Sequence, residues 1–142
     1  MMITNNLIIT FKILIIVFVH MAIIATAQIN ISSNVKKIYT KTNSEWKLQN
    51  VISENNYFHF NEDNTIFYHK SKIRTTEYRS KLTEVDEQET FWQFDIVNAE
   101  NDKIKLILDL DEDIVAYVVN LKNKDSIIPT MVVFEILDYK TE

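Results

Sequence analysis

The chain contains no glycine and no cysteine, and Pro129 is its single proline. A phosphate-cradling Gly-rich loop, a dinucleotide fingerprint, a G-x-S-x-G nucleophile elbow and a regular calcium-binding helix-loop-helix each need a residue without Cβ at a fixed place, so none can exist here in standard form. Without cysteine there is no disulfide, no thiol redox chemistry and no thioether lipid anchor. Corners must be made by asparagine and aspartate, which tolerate left-handed backbone and hydrogen-bond their own main chain. Positive charge is also in short supply: 15 Lys and Arg face 20 Asp and Glu, for a net −5. That balance favours solubility and disfavours nucleic acid or an anionic membrane surface as partner. At 142 residues the chain is the length of one domain.

The first 27 residues differ from the rest. They hold no acidic residue and one Lys, Lys12, followed by the apolar run Ile13 to Ile24 and then Ala25-Thr26-Ala27. This is the pattern of a secretory signal peptide cleaved before Gln28, which makes the chain a secreted or periplasmic protein with no membrane segment after cleavage. The alternative is an uncleaved anchor, but the apolar run falls short of the ~20 residues that a span needs.

The clearest structural signal is Tyr57–His69. Two aromatic runs flank Asn61-Glu62-Asp63-Asn64, which reads as a β-hairpin with Asn64 at positive φ where glycine is usual. Pairing Phe60 with Thr65 sets Phe58 opposite Phe67 and puts Tyr57, His59, Ile66 and Tyr68 on the other face.

Upstream, Gln28–Ser44 is polar and weakly patterned and reads as a linker or loosely docked arm, so the domain spans residues 45–142. Glu45–Val51 alternates, with Trp46 and Leu48 inward. Ser53-Glu54-Asn55-Asn56 reads as a turn. Tyr68–Arg79 is one bent strand or two short ones, anchored by Ile73 and Tyr78. Glu84–Glu89 is an acidic loop, and Leu82-Thr83-Glu84 can begin a helical turn. Thr90–Val97 and Lys103–Leu110 are strands, the second strictly alternating through Ile104, Leu106, Leu108 and Leu110. Ile114–Leu121 is almost wholly apolar. Pro129 marks a strand start or edge. Thr130–Leu137 is the last strand, and Asp138–Glu142 a polar tail. Seven or eight short strands at even spacing imply an all-β, antiparallel meander barrel, with a β-sandwich as the alternative.

Trp46 on the first strand, the hairpin Phe60-Asn61-Glu62-Asp63-Asn64-Thr65, the later strand with Trp92, the Ile104-x-Leu106-x-Leu108 strand and the apolar terminal strand together resemble the small secreted lipocalin-like domains of Bacteroidetes. The resemblance covers roughly Ser44 to Tyr139 and implies a fold more than an activity. Asn64 stands where that family often has glycine, Ser44-Glu45-Trp46 keeps only the Trp of the lipocalin Gly-x-Trp, and no Arg follows Arg79.

Trp46, Phe58, Phe60, Phe67, Trp92, Phe94 and Tyr117 are the candidate ligand-binding residues. They either line a cavity for a small hydrophobic ligand or simply fill a barrel only just wide enough for its own side chains. Asp109-Leu110-Asp111-Glu112-Asp113 has the D-x-D-x-D spacing of a calcium loop, but Ile114 and Asn120 occupy the positions that need Gly and Glu, so an acidic turn is the simpler reading. His59 and His69 fall on opposite faces and cannot share a metal ion. The carboxylates of Glu84, Asp86, Glu87 and Glu89 read as a solvated loop, and no Ser or Thr has a base in a recognisable pattern. The expectation is an exported, non-enzymatic, lipocalin-like domain that binds a small hydrophobic ligand, without cofactor or metal. The alternative is an exported interaction or inhibitor module that uses an acidic surface and free strand edges to hold a protein partner.

Overall fold

The computed structural model describes residues 28–123 and 126–142; side chains of residues 122–126 are not described, and the signal-peptide expectation for residues 1–27 lies outside the described residues. The chain forms eight antiparallel strands and, among the described residues, no helix. These are β1 (Ile29–Thr42), β2 (Glu45–Phe60), β3 (Ile66–Lys70), β4 (Thr75–Val85), β5 (Phe91–Val97), β6 (Lys103–Asp109), β7 (Ile114–Asn123) and β8 (Ser126–Thr141). Each strand pairs with the next, and β1 pairs with β8, so the meander closes into a barrel rather than a sandwich. Gln28 and Glu142 lie side by side, each donating its N–H to the other's carbonyl at 2.9 and 3.0 Å.

The corners work as the missing glycines require. Asn43, Ser44, Asn64, Glu89, Asn101 and Asp113 all have φ between 51° and 66°. Asn43-Ser44 is a two-residue turn with both φ positive, the twist that suits antiparallel strands. The longer turns are tied by a carboxylate or amide oxygen near their start. Asp86 Oδ1 accepts from the N–H of Thr90 and Phe91, Asn98 Oδ1 from Glu100 and Asp102, and Asp109 Oδ1 from Asp111 and Glu112. Only Ser44 and Glu89 depart from the Asn and Asp preference for left-handed backbone.

Alternation carries the core. Phe58, Phe60, Phe67, Phe94, Ile96, Leu106, Leu108 and Val115 are at most 1% exposed, and Ile29, Ile31, Tyr78, Tyr117 and Phe134 join them. Ring centroids 4.7 to 6.0 Å apart link Phe58, Phe60, Phe67, Phe94 and Phe134.

Several expectations are corrected. The segment expected to be a linker or arm is β1, whose Ile29, Ile31 and Ser33 are buried and whose two ladders join the first and last parts of the sheet. Its outer half, which mixes Val35, Ile38 and Tyr39 with polar residues, is at most partly buried and is held by backbone pairing to β2 and β8. Ser53–Asn56 is not a turn but the middle of β2. Trp46 and Leu48 do not point inward; they are 37% and 50% exposed on the outer face. Ile73 is no anchor and stands 87% exposed in the β3–β4 turn. Leu82-Thr83-Glu84 continues β4, and Asp138–Thr141 continues β8 to meet β1. The hairpin register is Phe60 with Phe67 and Phe58 with His69, two residues from that expected. A shift of two keeps every side chain on its face, so the expected faces hold. Pro129 lies within β8, just past the last β1 partner, Thr130, where its missing N–H costs the β1–β8 ladder nothing.

Two features of the closed sheet distinguish its ends. β2 meets β3 only over Tyr57–Phe60, and β7 meets β6 only over Ile114–Val118. The outer parts of β2, β1, β8 and β7 therefore leave the barrel as a four-stranded extension that splits one end of the wall. The opposite end, where Gln28 meets Glu142, carries the turns Asn61–Thr65, Asp86–Thr90 and Leu110–Asp113, in which every charged residue is acidic.

Candidate functional site

The split end holds the polar part of the barrel interior. On β2 the alternation Phe60, Phe58, Asn56, Glu54 passes from apolar to polar without leaving the inner face. Lys36 on β1 reaches Glu54 at 2.7 Å, an ion pair with both side chains largely covered. Asn56, 1% exposed, donates its amide N–H to the Glu54 carbonyl at 3.0 Å. That turns its oxygen toward His69, 2.8 Å away, so the bonding tautomer carries its proton on Nε2. The His69 ring stacks on Phe58 with centroids 4.6 Å apart. Thr76 and Tyr78 on β4 complete a mouth of about 200 Å³, also lined by Ser71, Ile73 and Arg74.

Burial and charge set the protonation states here. Burial drives the His69 pKa down to about 4; Lys36 and Arg74 push the same way and Glu54 opposes them. The Glu54 carboxyl is held below its ordinary range, first by the hydrogen bond from Lys36. Burial raises the Tyr78 hydroxyl, and raises that of Tyr117 well above its ordinary value. The mouth thus presents a neutral imidazole, a neutral phenol, an amide, the Lys36–Glu54 ion pair and the Arg74 guanidinium at neutral pH.

Of the seven residues expected to bind ligand, Phe58, Phe60, Phe67, Phe94 and Tyr117 come together as the packed core, and Trp92 packs against its edge. Trp46 stands apart on the extension, beneath the Lys41 ammonium at 5.7 Å. Two polar atoms of that set, Trp92 Nε1 and Tyr117 Oη, are buried and without a hydrogen-bond partner among the described residues. The Tyr117 ring lies 5.6 Å from His69 and 6.4 Å from Tyr78, centroid to centroid, which ties it to the mouth. His59 is on the outer face, bonded to Asn30 at 2.8 Å, so the two histidines are indeed on opposite sides of the wall. Among the described residues no group of three or more His, Asp and Glu converges as metal ligands.

Sequence reasoning missed Lys36, Glu54 and Asn56. The signal was present: Glu54 and Asn56 continue the period-2 register of Phe58 and Phe60, and a turn would have broken it.

Outside the mouth, β2 from Glu45 to Asn56 has no neighbour on its β3 side among the described residues. At about 3.3 Å per residue this is a free edge of roughly 40 Å. Trp46, Leu48 and Val51, the last 53% exposed, share its outer face. Where β3 stops at Lys70 while β2 runs on, a notch of about 700 Å³ opens between Ile52, Ser53, Glu54, Tyr57, Lys70 and Lys72. Set against protein-family models, curated proteins and solved structures, the chain matches none.

Proposed function

We propose that this protein is an exported, non-enzymatic interaction module that holds a protein partner on its four-stranded extension. The observation that carries the reading is the free β2 edge. Unpaired strand edges are normally short, covered or guarded by Pro and Lys, because they recruit other strands. Here the edge is long, has no proline, carries Lys47 as its one lysine, and lies beside exposed Trp46, Leu48 and Val51. A segment added there would gain main-chain hydrogen bonds and could bury those side chains. The lipocalin-like resemblance fits this use, because it concerns the barrel and leaves the activity open.

The test is selection of binders from an unbiased library of displayed peptides against the full chain, mapped by backbone amide shifts. Binders should perturb Trp46 to Asn55 and leave β5 and β6 unchanged. Binders that map to the acidic turns or to the mouth would overturn the reading.

A second reading, small-ligand binding, is favoured by the buried, unpartnered Tyr117 Oη behind the mouth. Such a ligand would enter the mouth and be polar rather than hydrophobic, since Asn56, His69, Arg74 and the Lys36–Glu54 pair are what it would meet.

A further inference from the structure

We propose that the occupant of the β2 edge is an extended acidic segment of another protein, lying with its acidic side chains in the notch beside Lys70 and Lys72. The proposal rests on the edge reading and adds the chemistry of the partner. A strand added to β2 lies end to end with β3, so its near end arrives at Lys70, the last residue of β3. Lys70 and Lys72 are exposed and make no ion pair among the described residues. Glu54, the acidic residue lining the same notch, is already committed to Lys36 at 2.7 Å. The notch therefore offers two free ammonium groups, with the face of the half-exposed Tyr57 beside them.

The net charge of −5 points the other way, toward a basic partner. That charge is unevenly placed. The three turns at the end where Gln28 meets Glu142 hold no basic residue, whereas at the split end Lys70, Lys72 and Arg74 outnumber Glu100 and Asp102 of the β5–β6 turn, so an acidic segment is repelled at the first and drawn to the second. A second copy of this chain fits less well. Paired antiparallel around the middle of the edge, it brings Glu45 and Lys47 toward the notch, and these cancel.

Peptides selected on the full chain, synthesised singly, provide the test. Those that shift the β2 amides should be enriched in Asp and Glu. Their affinity should fall by about tenfold in the double variant K70E/K72E, and by less in K70Q/K72Q, as for loss of close charge pairs in an interface. Both lysines are exposed, and unchanged amide spectra of the free variants would show that the fold is kept. If peptides map to β2 but carry no acidic excess and bind K70E/K72E as tightly as the native chain, the acidic-partner inference fails while the edge reading stands. If none maps to β2, both fail. Light scattering showing a dimer that dissociates when Lys47 and Glu45 are exchanged would make a second copy the occupant and overturn the proposal.

Discussion

His69 shows how one largely covered side chain ties stability to pH. Its imidazole is held neutral with a pKa near 4, against 6.5 for a free histidine, mainly because the charged form would lose its water. The unfolded chain therefore takes up a proton at a higher pH than the folded one. The resulting stabilisation is complete above pH 6.5, declines as pH falls, and is gone below about 4. A shift of this size corresponds to roughly 3 kcal/mol. Urea unfolding midpoints should fall over that window in the native chain and stay nearly level in His69→Gln. A parallel decline in both proteins would locate the dependence elsewhere. Below the window the lowered carboxyls of Glu54, Asp63 and Asp86 add their own acid sensitivity.

At the scale of elements, β1 separates pairing from patterning. Its ladders to β2 and β8 close the barrel, yet after Ser33 its inner face carries Lys36. Ile31→Ala should cost about 2 to 5 kcal/mol, as for other buried Ile in a packed core, whereas Trp46→Ser on the extension should cost under about 1. Equal, small effects on the melting temperature would mean that β1 is the loosely docked arm its sequence suggests. Much of the barrel is legible in the sequence because its inner residues are large: Phe58, Phe60, Phe67, Phe94, Ile104, Leu106 and Leu108 announce their face by size and spacing alone. The turns at Asn64, Asn101 and Asp113 are legible because nothing else in this chain bends as readily. What escapes is everything held by backbone pairing or by polar contacts inside. Lys36, Glu54 and Asn56 look like surface residues until the strands beside them are known. Trp46 and Leu48 look like core until the barrel wall is seen to end before them.

At the scale of the whole molecule, charge is polarised along the barrel. Crowding Glu62 and Asp63, Asp86, Glu87 and Glu89, and Asp111 through Asp113 at one end costs self-repulsion, which salt screens over a Debye length of about 10 Å at 0.1 M. Unfolding midpoints at neutral pH should therefore rise between about 10 and 200 mM sodium chloride. A fall over the same range would show that the ion pairs Lys36–Glu54 and Lys37–Glu135 outweigh that repulsion. The meeting of Gln28 with Glu142 at this same end makes the barrel, topologically, a ring of eight strands with one missing link. Deleting residues 1–27, joining those two residues and opening the ring between Asn43 and Ser44 would give a circularly permuted chain in which every strand keeps both of its neighbours. The new ends would then emerge at the tip of the β2 edge, where a fused segment could be tethered next to the surface it is meant to probe.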